Sequence, residues 1–359
     1  MTPTHPVLVQ AWRGDAVESE HRGALAVIDA DGALRAAVGD ITRPVFPRSA
    51  VKALQALPLV ESDAADRLQL TDDELALACA SHSGEAVHLR TAEAMLAKAG
   101  VDAGVLECGV HWPYDENAAR ALAAQGLRPT ALNNNCSGKH AGFVCLGCAL
   151  IGWNDGGIDL RQYLKGYVRP DHPVMREVSE ALHAATGTDL SRAPRGTDGC
   201  SIPTYGIPLR NLALGFARFG TGIGLRAGQA RAAQRLRQAV AKSPYLVGGA
   251  GRMDTLVMQR LGERVFCKVG AEGVYCAALP QRGLGVAIKI DDGNNARAAE
   301  VVMATVIEAL VDLDGAEREF IARFSDVQMK NWNGIEVGAL RATSALRQAL
   351  QGGPWPTGR

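Results

Sequence analysis

The order in which strand-like and helix-like patterns follow one another constrains this chain most. Residues 6–13 and 23–30 alternate or run apolar as strands do, and Asp31-Gly32 marks a turn into a returning run at 33–39. From Ser49 the pattern turns helical. Helices are expected at 72–80, at 84–98 up to Gly100, at 115–125 up to Gly126, and at 171–186 and 226–241. Strand character returns in three short apolar runs, 264–270, 274–280 and 284–290, which read as a meander before a last helix over 294–313. The tail beyond about residue 330 carries no readable pattern. Strands at both ends with helices between them predict an α+β chain. Its N- and C-terminal segments share one antiparallel sheet, and a large helical region is inserted between them. The expectation is one domain over 1–359, with a sheet part near 1–48 and 260–359 and a helical part near 49–259.

Composition narrows the function. The 359 residues suffice for one large or two ordinary domains. An apolar share of 47% with 21% charged residues is that of a soluble globular protein. A formal charge of zero gives no support to a nucleic-acid partner or a basic membrane-surface role. No apolar run is long enough to span a bilayer. Met1-Thr2-Pro3-Thr4-His5 lacks the basic and apolar regions of a signal peptide, so a cytoplasmic enzyme is expected. Eight cysteines are too few for a dense disulfide framework. Cys145 and Cys148 sit in an apolar helical run and read as core rather than as a redox pair.

Three places carry residues with chemistry. Ser49 and Lys52 are three apart, so a helix would put them on one face. A serine hydroxyl needs a base to take its proton, and a lysine serves only if burial or a neighbouring cation keeps part of it neutral. The bland alternative is a helix-capping serine with a solvated lysine one turn on. Ser49 opens a short apolar helix to Leu57, before Pro58. Ser81 lies in Ala80-Ser81-His82, and Lys268 lies in the apolar strand of Cys267-Lys268-Val269-Gly270. An inward lysine there is an expensive buried charge unless it is paired or loses its proton. Ser-x-x-Lys followed by Lys-x-Gly is also the layout of penicillin-binding enzymes and β-lactamases. In serine β-lactamases and glutaminases the second lysine lies on a sheet strand beside the serine.

Five blocks then occur in order: residues 43–52, Arg-Pro-Val-Phe-Pro-Arg-Ser-Ala-Val-Lys; Ala80-Ser81-His82-Ser83-Gly84-Glu85; Asn135-Cys136-Ser137-Gly138-Lys139-His140; Asp198-Gly199-Cys200; and Gly251-Arg252-Met253-Asp254-Thr255. Together they resemble the rhizobial-type L-asparaginases. The resemblance implies hydrolysis of L-asparagine to L-aspartate and ammonia, a β-lactamase-like fold and a homodimer. It implies two serine/lysine pairs, Ser49 with Lys52 and Ser81 with Lys268. It also implies a zinc ion held by Cys136, Lys139 and Cys200 and not required for the chemistry.

Other residues keep two readings. Arg48 is either a surface arginine or a clamp on the substrate α-carboxylate, which a guanidinium fits bidentately. Glu85 either binds the substrate amino group or favours the first turn of the following helix. His140 is a substrate-binding candidate, although a lone histidine is more often structural. Asp198 is placed with the substrate-binding residues and can orient the Cys200 cluster. Ser81 with Lys268 is preferred as the nucleophile pair, with Ser49 close behind. The alternatives to an asparaginase are a glutaminase, a β-lactamase-type enzyme and a non-catalytic zinc-binding protein.

Overall fold

The computed structural model describes residues 5–152 and 159–351; residues 1–4 of the stretch read above for a leader lie outside the described residues. Eight strands form one sheet: β1 (Val7–Arg13), β2 (Ala16–Asp29), β3 (Leu34–Val38), β4 (Phe266–Val269), β5 (Val274–Leu279), β6 (Leu284–Ile290), β7 (Asp326–Lys330) and β8 (Glu336–Ala342). Their order is β7-β8-β1-β2-β6-β5-β4, with β3 also paired to β2, and every pairing is antiparallel. The two ends of the chain therefore share one sheet, and the α+β architecture expected from the pattern is the one observed.

β2 joins the two halves of the sheet. Its first half pairs with β1, and its second half lies between β3 and β6. Only residues 23–30 read as strand in the sequence, because 16–22 is Ala-Val-Glu-Ser-Glu-His-Arg and largely exposed. Pairing with β1, not a buried face, makes that half a strand. The turn after β2 forms as expected, with the Asp29 carboxylate accepting from the amides of Asp31 and Ala33. The tail without a pattern also joins the sheet: β8 runs beside β1, with Val9 opposite Ala342.

Successive residues of β5 and β6 are buried, so both faces of the sheet are covered there. The helix Leu209–Thr221, not anticipated from the sequence, packs on β6 through Ala213, Phe216 and Ala217. Its approach needs Gly285, where a Cβ would lie 1.9 Å from the Ala213 carbonyl oxygen. The helix expected over 294–313 begins as a wide π turn, Asn295–Ala299, and continues as Glu300–Leu310. Among the described residues no helix is long and apolar enough to cross a membrane.

Candidate active site

Lys52, Lys139 and Lys268 are each at most 2% exposed. A buried ammonium is costly unless it is paired or gives up its proton. Lys52 lies against Ser81, and Lys268 lies on a strand packed against the turn that carries Ser49, which makes this cluster the candidate site.

The segment before Ser49 is held extended by Pro44–Val45, which pairs with Ile207–Pro208. The expected helix from Ser49 to Leu57 is three pieces: a 3-10 turn Arg48–Val51, a short helix Lys52–Gln55, and a helix Leu57–Glu61. Pro58 lies in the first turn of the last piece, where its missing N–H costs nothing. Arg48 opens the turn with φ +50°, a strained conformation for a side-chain-bearing residue.

Lys52 corrects the pairing read from the sequence. Its Nζ donates to Ser81 Oγ at 2.9 Å, to the Ala80 carbonyl at 2.6 Å and to Cys136 Sγ at 3.0 Å. Ser49 is not among these partners. An ammonium has three donors, and the loop at Ala80–Ser81 with Cys136 satisfies all three, which one serine hydroxyl cannot do. The Ser49 side chain is half-buried and makes no hydrogen bond among the described residues.

Lys268 lies on β4, against the Arg48–Val51 turn. The Lys-x-Gly spacing has a physical reason here: a Cβ on Gly270 would lie 2.6 Å from the Pro47 carbonyl oxygen. Lys268 Nζ donates to the Val269 carbonyl at 2.9 Å and stands 3.8 Å from Asp254 Oδ2. Burial lowers it to about 7; Asp254 opposes this, and Lys52 and Arg252 add to it. It is the lysine whose neutral form is available near neutrality.

Cys136, Lys139 and Cys200 do come together. Lys139 Nζ lies 3.0 Å from Cys200 Sγ, and Lys52 Nζ lies 3.0 Å from Cys136 Sγ. The neighbouring Cys200 holds the Cys136 thiol well below the usual range; burial opposes it, and Lys52 and Lys139 reinforce it. Cys200 is pushed up by Cys136 and then by burial. Burial alone would lower Lys139, but Cys200 and Cys136 outweigh it and raise it. Among the described residues no three His, Cys, Asp or Glu side chains form a metal-binding group, so any metal here depends on the lysine.

The Arg48 Nε donates to Asp198 Oδ1 at 2.7 Å. Burial would raise the Asp198 carboxyl, yet Lys139 and Arg48 hold it below its ordinary value. His140 is fully buried. Its Nδ1 meets the Tyr167 hydroxyl at 2.6 Å, and its Nε2 has no partner. Burial and then Lys139 and Lys52 keep it neutral. Glu85 accepts from the Tyr245 hydroxyl and from the Ala250 amide. The Ser81 and His82 amides donate to the carbonyls of Val247 and Asn135, so neither is free for an oxyanion. A cavity of about 550 Å³ opens on Arg48, Phe46, Thr197 and Lys289, but neither serine lines it, and we do not place the reaction there.

Sequence reasoning assigned no role to Asp254, Tyr167 or Tyr245. Asp254 lies inside one of the five blocks, which was the available signal; the tyrosines are brought in only by the fold. Cys145 and Cys148 are buried and unpaired, as the core reading expects, and burial first of all raises both thiols.

The solved structures to which the chain is similar include two of Mglu. One has 14% identity, covering 77% of this chain and 64% of that one, at a TM-score of 0.33. The other, in its native form, has 16% identity, covering 83% and 66%, at 0.32. The chain thus spans just under two thirds of the length of these two. No curated protein matches it. The model of the L-asparaginase II family matches residues 9–342, nearly the whole chain. The protein therefore belongs to the L-asparaginase II family.

Proposed function

We propose that the protein hydrolyses the side-chain amide of L-asparagine to L-aspartate and ammonia through an ester on Ser81. The observation that carries this reading is the buried cluster in which Lys52 Nζ donates to Ser81 Oγ while Lys268 is held near neutrality. Lys52, anchored by its three contacts, orients the hydroxyl, and the Ser81 proton is left for another base. Lys268 receives it, and the oxygen adds to the amide carbon. The C–N bond breaks as Lys268 returns the proton to the leaving nitrogen, which departs as ammonia. Water then gives a proton to Lys268 and adds to the β-aspartyl ester, and Ser81 leaves reprotonated. Ser49, whose hydroxyl is unengaged, is left to relay protons once substrate is bound. Arg48, steadied by Asp198, takes the α-carboxylate, Glu85 the α-ammonium, and His140 Nε2 a polar group of the substrate.

Ser49 as nucleophile is the second reading, favoured by its unengaged hydroxyl. Ammonia release from L-asparagine and L-glutamine, side by side, tests the reaction. Release from asparagine by the wild type, with loss in Ser81→Ala, supports it; a folded protein that releases none overturns it. Mass spectrometry of a trapped aspartyl adduct decides between the serines. Release from glutamine at a comparable rate would make the protein a glutaminase as well, because one methylene is worth only about 1–3 kcal/mol in a pocket.

A zinc ion suits the sulfur–amine set. Cys136, Lys139 and Cys200 would hold it, with Lys139 deprotonated, and it would supply fixed positive charge beside Lys52. No step above uses it, so ammonia release is expected to survive chelation. The homodimer expected from the resemblance is read by analytical ultracentrifugation.

A further inference from the structure

We propose that Asp254 is the counter-ion of Lys268 in the reaction: its carboxylate stabilises the ammonium that forms when Lys268 takes the nucleophile's proton. Asp254 stands in the first turn of the helix Met253–Leu261, which packs beside β4. It is 1% exposed, and neither carboxylate oxygen has a hydrogen-bond partner. An ionised carboxylate so placed is retained only against a compensating charge. Two cations are in reach: Lys268 Nζ at 3.8 Å and Arg252 Nε at 4.0 Å. Arg252 is 31% exposed, so water weakens its field, whereas Lys268 is fully buried.

The remaining groups around the pair do not supply an alternative partner. Cys79, Cys267, Cys276 and Tyr275 are all pushed up by burial and are neutral near pH 7. Glu300 is raised by burial and by Asp254, so it adds no positive charge. Lys52 faces Lys268 with like charge, and the Cys136 sulfur offsets it only in part. Asp254 is thus the carboxylate whose field holds the Lys268 proton affinity from falling further. The space is kept by Gly248, where a Cβ would meet Asp254 Oδ1 at 3.0 Å and Thr255 Oγ1 at 2.6 Å. The same segment fixes the nucleophile loop, since the Val247 carbonyl accepts from the Ser81 amide.

The role rests on the amidase reading, but the test separates the two. Lysine labelled with ¹³C at Cε reports the Lys268 titration by NMR without substrate, with the signal assigned through Lys268→Met. In Asp254→Asn the midpoint is expected to fall by about 1 pH unit or more. The acid limb of kcat/KM should fall with it. Arg252→Gln, which removes a cation, should move both upward. An unmoved midpoint and limb in a folded, active Asp254→Asn overturns the counter-ion. If Asp254→Asn does not fold, Asp254→Asn/Lys268→Met decides: recovery of a cooperative melt in the double variant supports the pair, and continued failure overturns it. A wild type that releases no ammonia overturns the amidase reading and the catalytic role with it, whatever the lysine titration shows.

Discussion

At the scale of single residues, the site separates two lysines by what surrounds them. Lys52 has three acceptors within hydrogen-bond distance, whereas Lys268 has one carbonyl and a more distant carboxylate. The first is anchored in place, and the second carries the exchangeable proton. Because burial lowers Lys268 to about 7, its neutral fraction grows as pH rises through that value. Activity should therefore rise with pH across that range and be lost below it. Ammonia release measured from acid to alkaline buffer checks this, and a rate flat through neutrality would exclude Lys268 as the base. Lys268→Met should cost about 10²–10⁴-fold in kcat, the usual worth of a positioned base. The identities of Lys52, Ser81 and Lys268 were legible in the motifs. Their partners were not, since spacing along the chain offered Ser49 to Lys52, while the three acceptors come from residues 28 to 84 positions away.

At the scale of elements, two glycines set how closely the pieces approach. A methyl group at Gly285 would enter the backbone of the helix Leu209–Thr221. Gly285→Ala should lower stability by about 1–3 kcal/mol or more, read as a drop in Tm. Gly270→Ala would press on Pro47 and displace the turn that carries Ser49, so activity should fall more than stability. Comparing kcat with Tm for this one variant checks the role assigned to the Lys-x-Gly spacing. The helix Asp72–Ala78, which leads to Ser81, begins with a capping box between Thr71 and Glu74. Its acidic first turn was visible in the sequence for the same reason that it stabilises: anions suit a helix N-terminus. Thr71→Ala should cost about 1 kcal/mol in thermal unfolding. The helices Leu209–Thr221 and Met253–Leu261 were missed from the sequence. The second holds Asp254.

At the scale of the whole molecule, closing one sheet from both ends of the chain assembles the site. β4 delivers Lys268 from the C-terminal half to the turn and loop of the N-terminal half. β8 and β7 extend the sheet beyond β1, so a chain ended before Asp326 would leave β1 as an exposed edge. Such a truncation should aggregate on heating, as seen by light scattering, while the wild type melts cooperatively.

The sequence by itself determined that a strand region, a helical region and a second strand region follow one another, the meander that carries Lys268, and the residue types of the site, because hydrophobic period and local motif are properties of neighbouring residues. Only the tertiary structure decided that Lys52 bonds to Ser81, that Asp254 faces Lys268, and that Glu336–Ala342 joins the sheet. Each of these depends on burial and on hydrogen-bond partners far apart in the chain, which no local pattern contains.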